Sequence, residues 1–286
     1  MRLVYLGTPE MAVPPLRAIV AAGHDVRLVV TRVDRRRGRG GALSPSPVKI
    51  AAVELGLPVS HEVDDALSTG AELGVVVAFG RIIKPHVLAA LPMINVHFSL
   101  LPRWRGAAPV ERALLAGDEV TGVCVMAVDE TLDTGAVYAR REVPIRPGET
   151  AAELRADLVS VGTELLVSVL SGPLPAPVPQ VGEPTYAAKI DPAELRIDWR
   201  QPAELIDRWI RVGGTWTTFR GKRLKVHAGE VGPEAGEPGV LIAATGSVAT
   251  GAGSLQLLTV QPEGRAPMSW RDFANGTHPV AGERLG

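Results

Sequence analysis

The runs VVVA at Val75–Ala78 and INVH at Ile94–His97 decide the fold of this chain. Each is short, apolar and rich in β-branched residues, and so predicts a strand buried on both faces. Upstream, Arg2–Leu6 is a similar run closed by Gly7, and Val26–Thr31 is another. Helical stretches lie between: Met11–Ala22, with Gly23 placed to cap its end, and Val48–Glu54, closed by Gly56. Short strands alternating with helices predict βαβ units, a mostly parallel sheet and an α/β fold. Ala151–Leu170 predicts one more helix. Beyond it the composition shifts: Pro173, Pro175, Pro177, Pro179 and Pro184 crowd one stretch, with Pro192 just past it. No regular helix survives that density of proline, which predicts a semi-rigid connector. From about Ala203 the apolar runs shorten to Leu224–Val226, Val240–Ala243 and Leu255–Val260, separated by glycine-rich turns. That is the pattern of a small β-barrel or sandwich.

The bulk numbers agree with two domains. At 286 residues the chain is long enough for about two, each with its own core. Hydrophobic residues make up 46% and charged residues 21%, ordinary for a globular protein. The net charge of -1 excludes a general polycation, so any nucleic-acid contact must come from local basic patches. The single cysteine, Cys124, excludes an intramolecular disulfide and any multi-cysteine metal site. Its apolar setting, Val123 to Met126, predicts a buried small hydrophobe. No apolar run approaches the ~18 residues needed to cross a bilayer. Pro9 and Glu10 interrupt the apolar start, and no basic n-region precedes it, so neither a signal peptide nor a membrane is expected and the expected location is cytoplasmic. His24, His61, His86, His227 and His278 are scattered without metal-ligand spacing, and no metal is expected. Gly38-x-Gly40 lacks the third glycine of a dinucleotide fingerprint.

The chemistry concentrates between Ile94 and Val137, beginning INVHFSLLPRWRGAAPVERALLAGDEVTGV and continuing to DETLDTGAVY. Asn95 and His97 are two apart on a predicted strand, so both face the same side. Asp133 lies in a turn-like Leu-Asp-Thr-Gly segment that can approach from a neighbouring loop. In an open parallel sheet, sites form beyond the carboxyl ends of the strands, where His97 and Phe98 close theirs. These side chains suit acyl-type transfer. When an amine attacks a formyl carbon, the carbonyl oxygen gains negative charge, to which an Asn amide or a His can donate. His also moves protons near neutral pH, and a carboxylate beside it orients the ring. An Asn-x-His pair on a strand and an Asp in a turn are also common as purely structural features.

Two basic stretches stand out. Arg32, Arg35, Arg36, Arg37 and Arg39 are flanked by glycines and broken only by Asp34. Arg208, Arg211, Arg220, Lys222, Arg223 and Lys225 form the second, with Trp209, Trp216 and Phe219 interleaved. Arginines grip phosphate and aromatics stack on bases, although charge runs also serve as solvated faces.

The run Ser99-Leu100-Leu101-Pro102-Arg103-Trp104-Arg105-Gly106-Ala107-Ala108-Pro109, with Asn-x-His before it and Asp-x-Gly after it, resembles the signature of the folate-dependent formyltransferases. The Trp104 and double-alanine version is similar to the branch acting on methionyl-tRNA. The likeness extends to Gly7-Thr8-Pro9, the Gly38-Arg39-Gly40 loop with Ser46-Pro47-Val48-Lys49, Arg196-Ile197-Asp198-Trp199, and Gln261-Pro262. The resemblance implies a Rossmann-like N-terminal formyltransferase domain and a smaller C-terminal β-barrel, OB-like, for binding tRNA. The boundaries expected are 1–185 for the catalytic domain, 186–203 for a linker and 204–286 for the barrel. It implies Asn95, His97 and Asp133 as catalytic, and Ser99, Leu100, Leu101 and Pro102 as folate contacts. It also implies Arg35, Arg36, Arg37, Arg39, Arg220, Lys222, Arg223 and Lys225 as tRNA contacts. The activity implied is transfer of the formyl group of 10-formyltetrahydrofolate to the amino group of methionyl-initiator tRNA, by a monomer and without metal. Two departures bear on tRNA contact. Arg211-Val212-Gly213-Gly214-Thr215-Trp216 lacks the prolines of the family pattern, and Gly41 and Ala42 stand where many relatives carry lysines. A formyltransferase acting on a small amine, such as an amino sugar nucleotide or glycinamide ribonucleotide, would share the triad without needing basic arms. A tRNA-binding module without catalysis would not need Asn95, His97 and Asp133 together.

Overall fold

The computed structural model describes residues 1–37, 41–243 and 245–286. Two compact units divide the chain: Met1–Val110 with Glu119–Ile145 and Glu153–Ala188, and Glu111–Asp118 with Arg146–Ala152 and Lys189–Gly286.

The first part of the chain runs β1 (Arg2–Gly7), α1 (Val13–Ala21), β2 (Asp25–Val30), β3 (Arg35–Arg37), β4 (Ala42–Ser44), α2 (Pro47–Glu54), β5 (Val59–Ser60) and β6 (Leu73–Val77). It continues through α3 (Pro85–Ala90), β7 (Met93–His97), β8 (Arg105–Gly106), α4 (Pro109–Ala116), β9 (Val120–Ala127), β10 (Val137–Pro144), α5 (Ala151–Leu170) and β11 (Tyr186–Ala187). Seven strands form the main sheet in the order β10-β9-β7-β6-β1-β2-β5. The strands from β7 to β5 are mutually parallel, while β9 runs antiparallel to β7 and β10 antiparallel to β9. The expected mostly parallel sheet is therefore present, with two antiparallel strands added at one edge. Leu3, Val4, Tyr5 and Leu6 are buried on both faces of β1, as a central strand covered by helices requires. Each such side chain contributes about 1.5–3 kcal/mol by leaving water.

The first expected helix is shorter than its apolar pattern. Glu10–Ala12 form a tight 3-10 turn, and the α-helix begins only at Val13, with Pro14 and Pro15 in its first turn, where a missing N–H costs nothing. Gly23 follows at φ +81°, the left-handed conformation expected of a helix-ending glycine. Ser46 caps α2 by accepting from the Lys49 amide. The glycine-flanked arginine segment is a hairpin: Arg35 pairs with Ser44, Arg36 with Leu43 and Arg37 with Ala42. At its base Lys49 forms an ion pair with Asp34 at 2.8 Å, tying the hairpin to α2.

The second unit carries α6 (Ala203–Val212), β12 (Trp216–Phe219), β13 (Lys222–Gly232), β14 (Ser247–Ala249), β15 (Ser254–Pro262), β16 (Met268–Ser269) and α7 (Trp270–Thr277). Its strands pair antiparallel in the order β12-β13-β15-β14, with β16 on β15. The expected closed barrel is not what these ladders form: among the described residues they make an open five-stranded sheet. Single bridges link its two edges, from Val248 to Leu241, Val240 to Arg284 and Leu285 to Phe219. Backbone hydrogen bonds accompany them: the Gly239 amide donates to the Ala249 carbonyl at 2.9 Å and the Leu285 amide to the Gly239 carbonyl at 2.7 Å. The core includes Trp199, Ile206, Leu224, Val226, Leu255, Val260, Trp270 and Phe273. Segment 186–203, expected to link the domains, divides between the units. Tyr186–Ala187 belong to the first as β11, whereas Ile197 and Trp199 lie in the core of the second.

Candidate active site

β7 ends at the carboxyl edge of the parallel strands and brings Asn95 and His97 to one face. Asn95 is the one residue of this strand that retains solvent access. Among the described residues no partner holds its carboxamide, so its two N–H donors are available. His97 is 5% exposed and lies in the wall of the site. Its Nε2 is 2.9 Å from the Trp104 carbonyl oxygen, and its Nδ1 is 3.7 Å from Asp133 Oδ2. A carbonyl only accepts, so Nε2 carries a proton and Nδ1 is the position that can take up and release another, opposite a carboxylate.

Asp133 reaches His97 from the loop between β9 and β10. It sits at φ +54°, and its Oδ2 accepts a hydrogen bond from the Gly106 amide at 2.8 Å. Gly106 itself is at φ +117°. Its N–H can point at Asp133 only because no Cβ stands between Gly106 and the Ala187 carbonyl, which would lie 2.8 Å away. The Asp-Thr-Gly turn depends on a second close approach: a Cβ on Gly135 would meet the Ala127 carbonyl oxygen at 2.0 Å.

The proline-rich segment, expected as a connector, builds the site. Val178 and Val137 exchange backbone hydrogen bonds, both of 2.8 Å. Thr185 Oγ1 accepts from the Trp104 amide at 2.9 Å, and β11 pairs with β8. Trp104, held at φ +62°, thereby presents to His97 the carbonyl that Nε2 contacts. Gln180 donates from its amide nitrogen to the Asp133 and Gly135 carbonyls, both at 2.9 Å. Its oxygen accepts from Arg105 Nε and Nη2 at 3.1 and 2.6 Å. The sequence carried no signal for Gln180 or Thr185 beyond their place among the prolines.

The Ser99–Pro102 segment follows β7 directly. Ser99 is fully buried and its hydroxyl donates to the Arg103 carbonyl at 2.6 Å, so it shapes the loop from within and offers no side chain to a ligand. Leu101 packs on Cys124 and Met126. Leu100 and Pro102, half-buried, are the members of this segment with exposed surface.

Cys124 pairs directly with His97 across β7 and β9, a juxtaposition that suggests a thiol nucleophile. Burial argues otherwise: the residue is 0% exposed, and removal from water pushes its thiol above the usual range. We therefore expect Cys124→Ala to keep turnover within a few-fold of the parent, measured as the initial rate of formyl transfer. Loss on the scale of a catalytic residue would restore the nucleophile.

The basic residues are dispersed. Arg35 and Arg36 are exposed on the hairpin; Arg37 is in the same strand, and Arg39 lies outside the described residues. In the second unit Arg220 is engaged, paired with Glu283 at 2.7 Å and donating to the Thr277 carbonyl at 2.9 Å. Lys222 is exposed at the start of β13. Arg223 and Lys225 alternate with buried Leu224 and Val226, so both project from the outer face of the sheet. Arg223 lies 4.2 Å over the Trp216 ring, opposite which Lys225 pairs. Phe219, interleaved with these cations in sequence, is instead a core residue, its ring 5.4 Å from Phe273. Strand alternation turned it inward. Arg211 is paired with Asp207 at 2.8 Å on α6. Gly213 and Gly214, where the sequence lacks family prolines, end that helix at φ +97° and +79°.

Residues 1–170 match the formyl transferase family, and residues 189–278 match the C-terminal domain of formyl transferases. A methionyl-tRNA formyltransferase of Roseobacter denitrificans is 45% identical over 97% of this chain and 96% of its own length. Another, from Ruegeria pomeroyi, is 42% identical over the whole of both chains. Among solved structures, an N-formyltransferase of Helicobacter canadensis, in complex with folinic acid and dTDP-3-aminofucose, superposes with a TM-score of 0.70. It shares 18% identity over 91% of this chain and 98% of its own. HypX of Aquifex aeolicus, in complex with tetrahydrofolic acid, gives 0.66 at 17% identity over 96% of this chain, which spans about half of HypX, 47% of its length. The chain belongs to the formyl transferase family, and within it to the methionyl-tRNA formyltransferases.

Proposed function

We propose that this protein transfers the formyl group of 10-formyltetrahydrofolate to the α-amino group of methionyl-initiator tRNA. The observation that carries the reading is the approach of Asp133 to His97, with Asn95 on the same face of β7, in a chain that aligns end to end with relatives named for that reaction. The amine attacks the formyl carbon, and the carbonyl oxygen gains charge. Asn95, whose N–H groups are otherwise unpartnered, donates to that oxygen. His97 and Asp133 handle the proton that leaves the amine and reaches the departing folate nitrogen. The bond to the amine forms first, giving a tetrahedral species, and the carbon–nitrogen bond to folate then breaks as the carbonyl reforms; no covalent enzyme intermediate is needed, and holding both substrates together supplies much of the rate.

The residues present suit a folate. Leu100 and Pro102 give apolar surface next to His97 in sequence. The loop after β6, at the same carboxyl edge, carries Ile82 at 87% exposure beside left-handed Ala78 and Gly80. A planar ring can rest on such side chains while irregular backbone amides and carbonyls meet its polar edge. The domains act as 1–185 for catalysis and 204–286 for tRNA, joined through 186–203. The second unit, an open five-stranded sheet whose two edges are joined by single bridges through Val240, Leu241, Arg284 and Leu285, is read as an irregular OB-like barrel for tRNA. One chain supplies every group named, so a monomer suffices, and an acceptor on tRNA fits action in the cytoplasm.

The direct test mixes the purified protein with the formyl donor and charged initiator tRNA. Formylmethionine released from the tRNA is expected; formylation of a small amine instead, with none on tRNA, overturns the reading. The tRNA contacts we propose are Arg35, Arg36 and Arg37 of the hairpin and Arg39, together with Arg220, Lys222, Arg223 and Lys225. Arg220 is the weakest member, since tRNA would have to compete with Glu283. Neutralised phosphates release counterions, so each lost contact flattens the logarithmic salt slope by roughly 0.7–0.9. Arg35→Ala with Arg36→Ala is expected to raise the tRNA KM and flatten that slope, leaving the folate KM unchanged. An unaltered salt slope would make the hairpin a solvated charge cluster.

A further inference from the structure

We infer that Gln180, in the proline-rich strap, is a positioning residue that holds Asp133 against His97. The inference rests on the proposed reaction and names a part of its machinery outside the sequence signature. From 175 to 184 every residue of the strap is exposed except Gln180, which is half-buried against the Asp133 loop. Prolines on both sides hold the segment extended, so little entropy is lost in ordering it.

The bonding of Gln180 is complete. Both N–H groups donate, one to the Asp133 carbonyl and one to the Gly135 carbonyl, and the oxygen accepts twice from Arg105. Arg105 adjoins Gly106, whose amide binds the Asp133 carboxylate. The side chain thus closes a ring: backbone of Asp133, Gln180, Arg105, Gly106, carboxylate of Asp133. Asp133 lies at φ +54°, in the left-handed region that aspartate enters more readily than most side chains but at some cost without supporting contacts. The contacts on its own carbonyl and on the Gly135 carbonyl supply that support. No other side chain matches the demand. Glutamate keeps the acceptors for Arg105 but sets a carboxylate against two carbonyls, and methionine keeps the length without the donors.

The test uses the full-length chain with Gln180→Met and Gln180→Glu. Both are expected to lower kcat by about 10- to 100-fold, the scale of a misplaced catalytic group, with the KM for folate and for tRNA and the melting temperature little changed. A merely structural role would lower the melting temperature with kcat preserved in the folded fraction, and would overturn the inference. The decisive measurement is a double-mutant cycle. In an Asp133→Asn background, Gln180→Met is expected to cost little further, since the group it positions is already disabled. Full multiplication of the two losses shows that Gln180 does not act through Asp133. Amide exchange gives a readout independent of activity: exchange at 131–136 is expected to quicken in Gln180→Met while β6 and β7 stay protected, and unchanged exchange there overturns the inference. Should Asp133→Asn alone leave turnover intact, the role assigned to Asp133 fails; the exchange result then judges Gln180 separately.

Discussion

Replacing His97 with alanine is expected to lower turnover by roughly 100-fold or more, the scale of losing a general acid–base or an oxyanion donor. The ring stands between the Trp104 carbonyl at 2.9 Å and the Asp133 carboxylate at 3.7 Å, and among the described residues no other titratable side chain bridges them. Alanine also leaves a buried space, so the variant's stability must be measured beside its rate. Asn95→Ala makes the cleaner probe. Its carboxamide is half-exposed and, among the described residues, unpartnered, so its removal orphans no described group, and a drop of similar size is expected at unchanged stability. Asp133→Ala differs again: it strips the Gly106 amide of its acceptor, costing about 1–3 kcal/mol as well as activity. Initial rates of tRNA formylation, with urea midpoints for each variant, separate these effects. A folded variant with near-parental turnover would remove that residue from the mechanism.

The second large effect is expected at Gly135, which has no side chain to take part in the chemistry. A Cβ there would fall 2.0 Å from the Ala127 carbonyl oxygen and 2.7 Å from its carbon. Both are backbone atoms at the end of β9, locked by the 2.8 Å bond from the Ala127 amide to the Ala136 carbonyl. Neither chain can give by rotating a side chain, so the loop must move by something near an ångström. Such a shift carries Asp133 with it, and misplacement on that scale costs on the order of 100-fold in rate. Overpacking adds about 1–3 kcal/mol of destabilisation. Gly135→Ala is therefore expected to lose both turnover and urea resistance. Gly276→Ala is the control: it lies in α7 with nothing within 4 Å of the added carbon, and should be neutral or slightly stabilising. If Gly135→Ala keeps parental turnover, the loop tolerates the shift and the close approach is incidental.

Where the chain repeats a simple period, sequence and structure agree. Leu3 to Leu6, Val75 to Val77 and Ile94 to Val96 form buried parallel strands because nothing but a covered sheet accommodates such runs. The spacing of Asn95 and His97 was enough to put both on one face, since side chains alternate along a strand whatever surrounds it. Gly23 and Ser46 end and begin helices by local chemistry alone. Proline at 14 and 15 shifted the start of α1 for an equally local reason.

Other features depend on residues far apart in the chain. Ser99 belongs to the most distinctive run of the sequence, yet its hydroxyl is spent on the Arg103 carbonyl, which only the turn of the loop reveals. Phe219 sits among cations in sequence and in the core in space. The second unit's strands were visible as short apolar runs, but whether they close depends on single bridges between residues such as Phe219 and Leu285, which no local pattern encodes.

The sequence by itself determined the α/β order, the face shared by Asn95 and His97 and the chemistry they suit, because periodicity and side-chain type are properties of a short stretch. Only the tertiary structure decided that Asp133 meets His97, that the Gly106 amide and Gln180 hold it there, and that the proline segment wraps back along the catalytic loops. Those contacts join residues 97, 106, 133 and 180, and hydrogen-bond geometry between distant segments is fixed by how the whole sheet packs, not by the residues on either side of each partner.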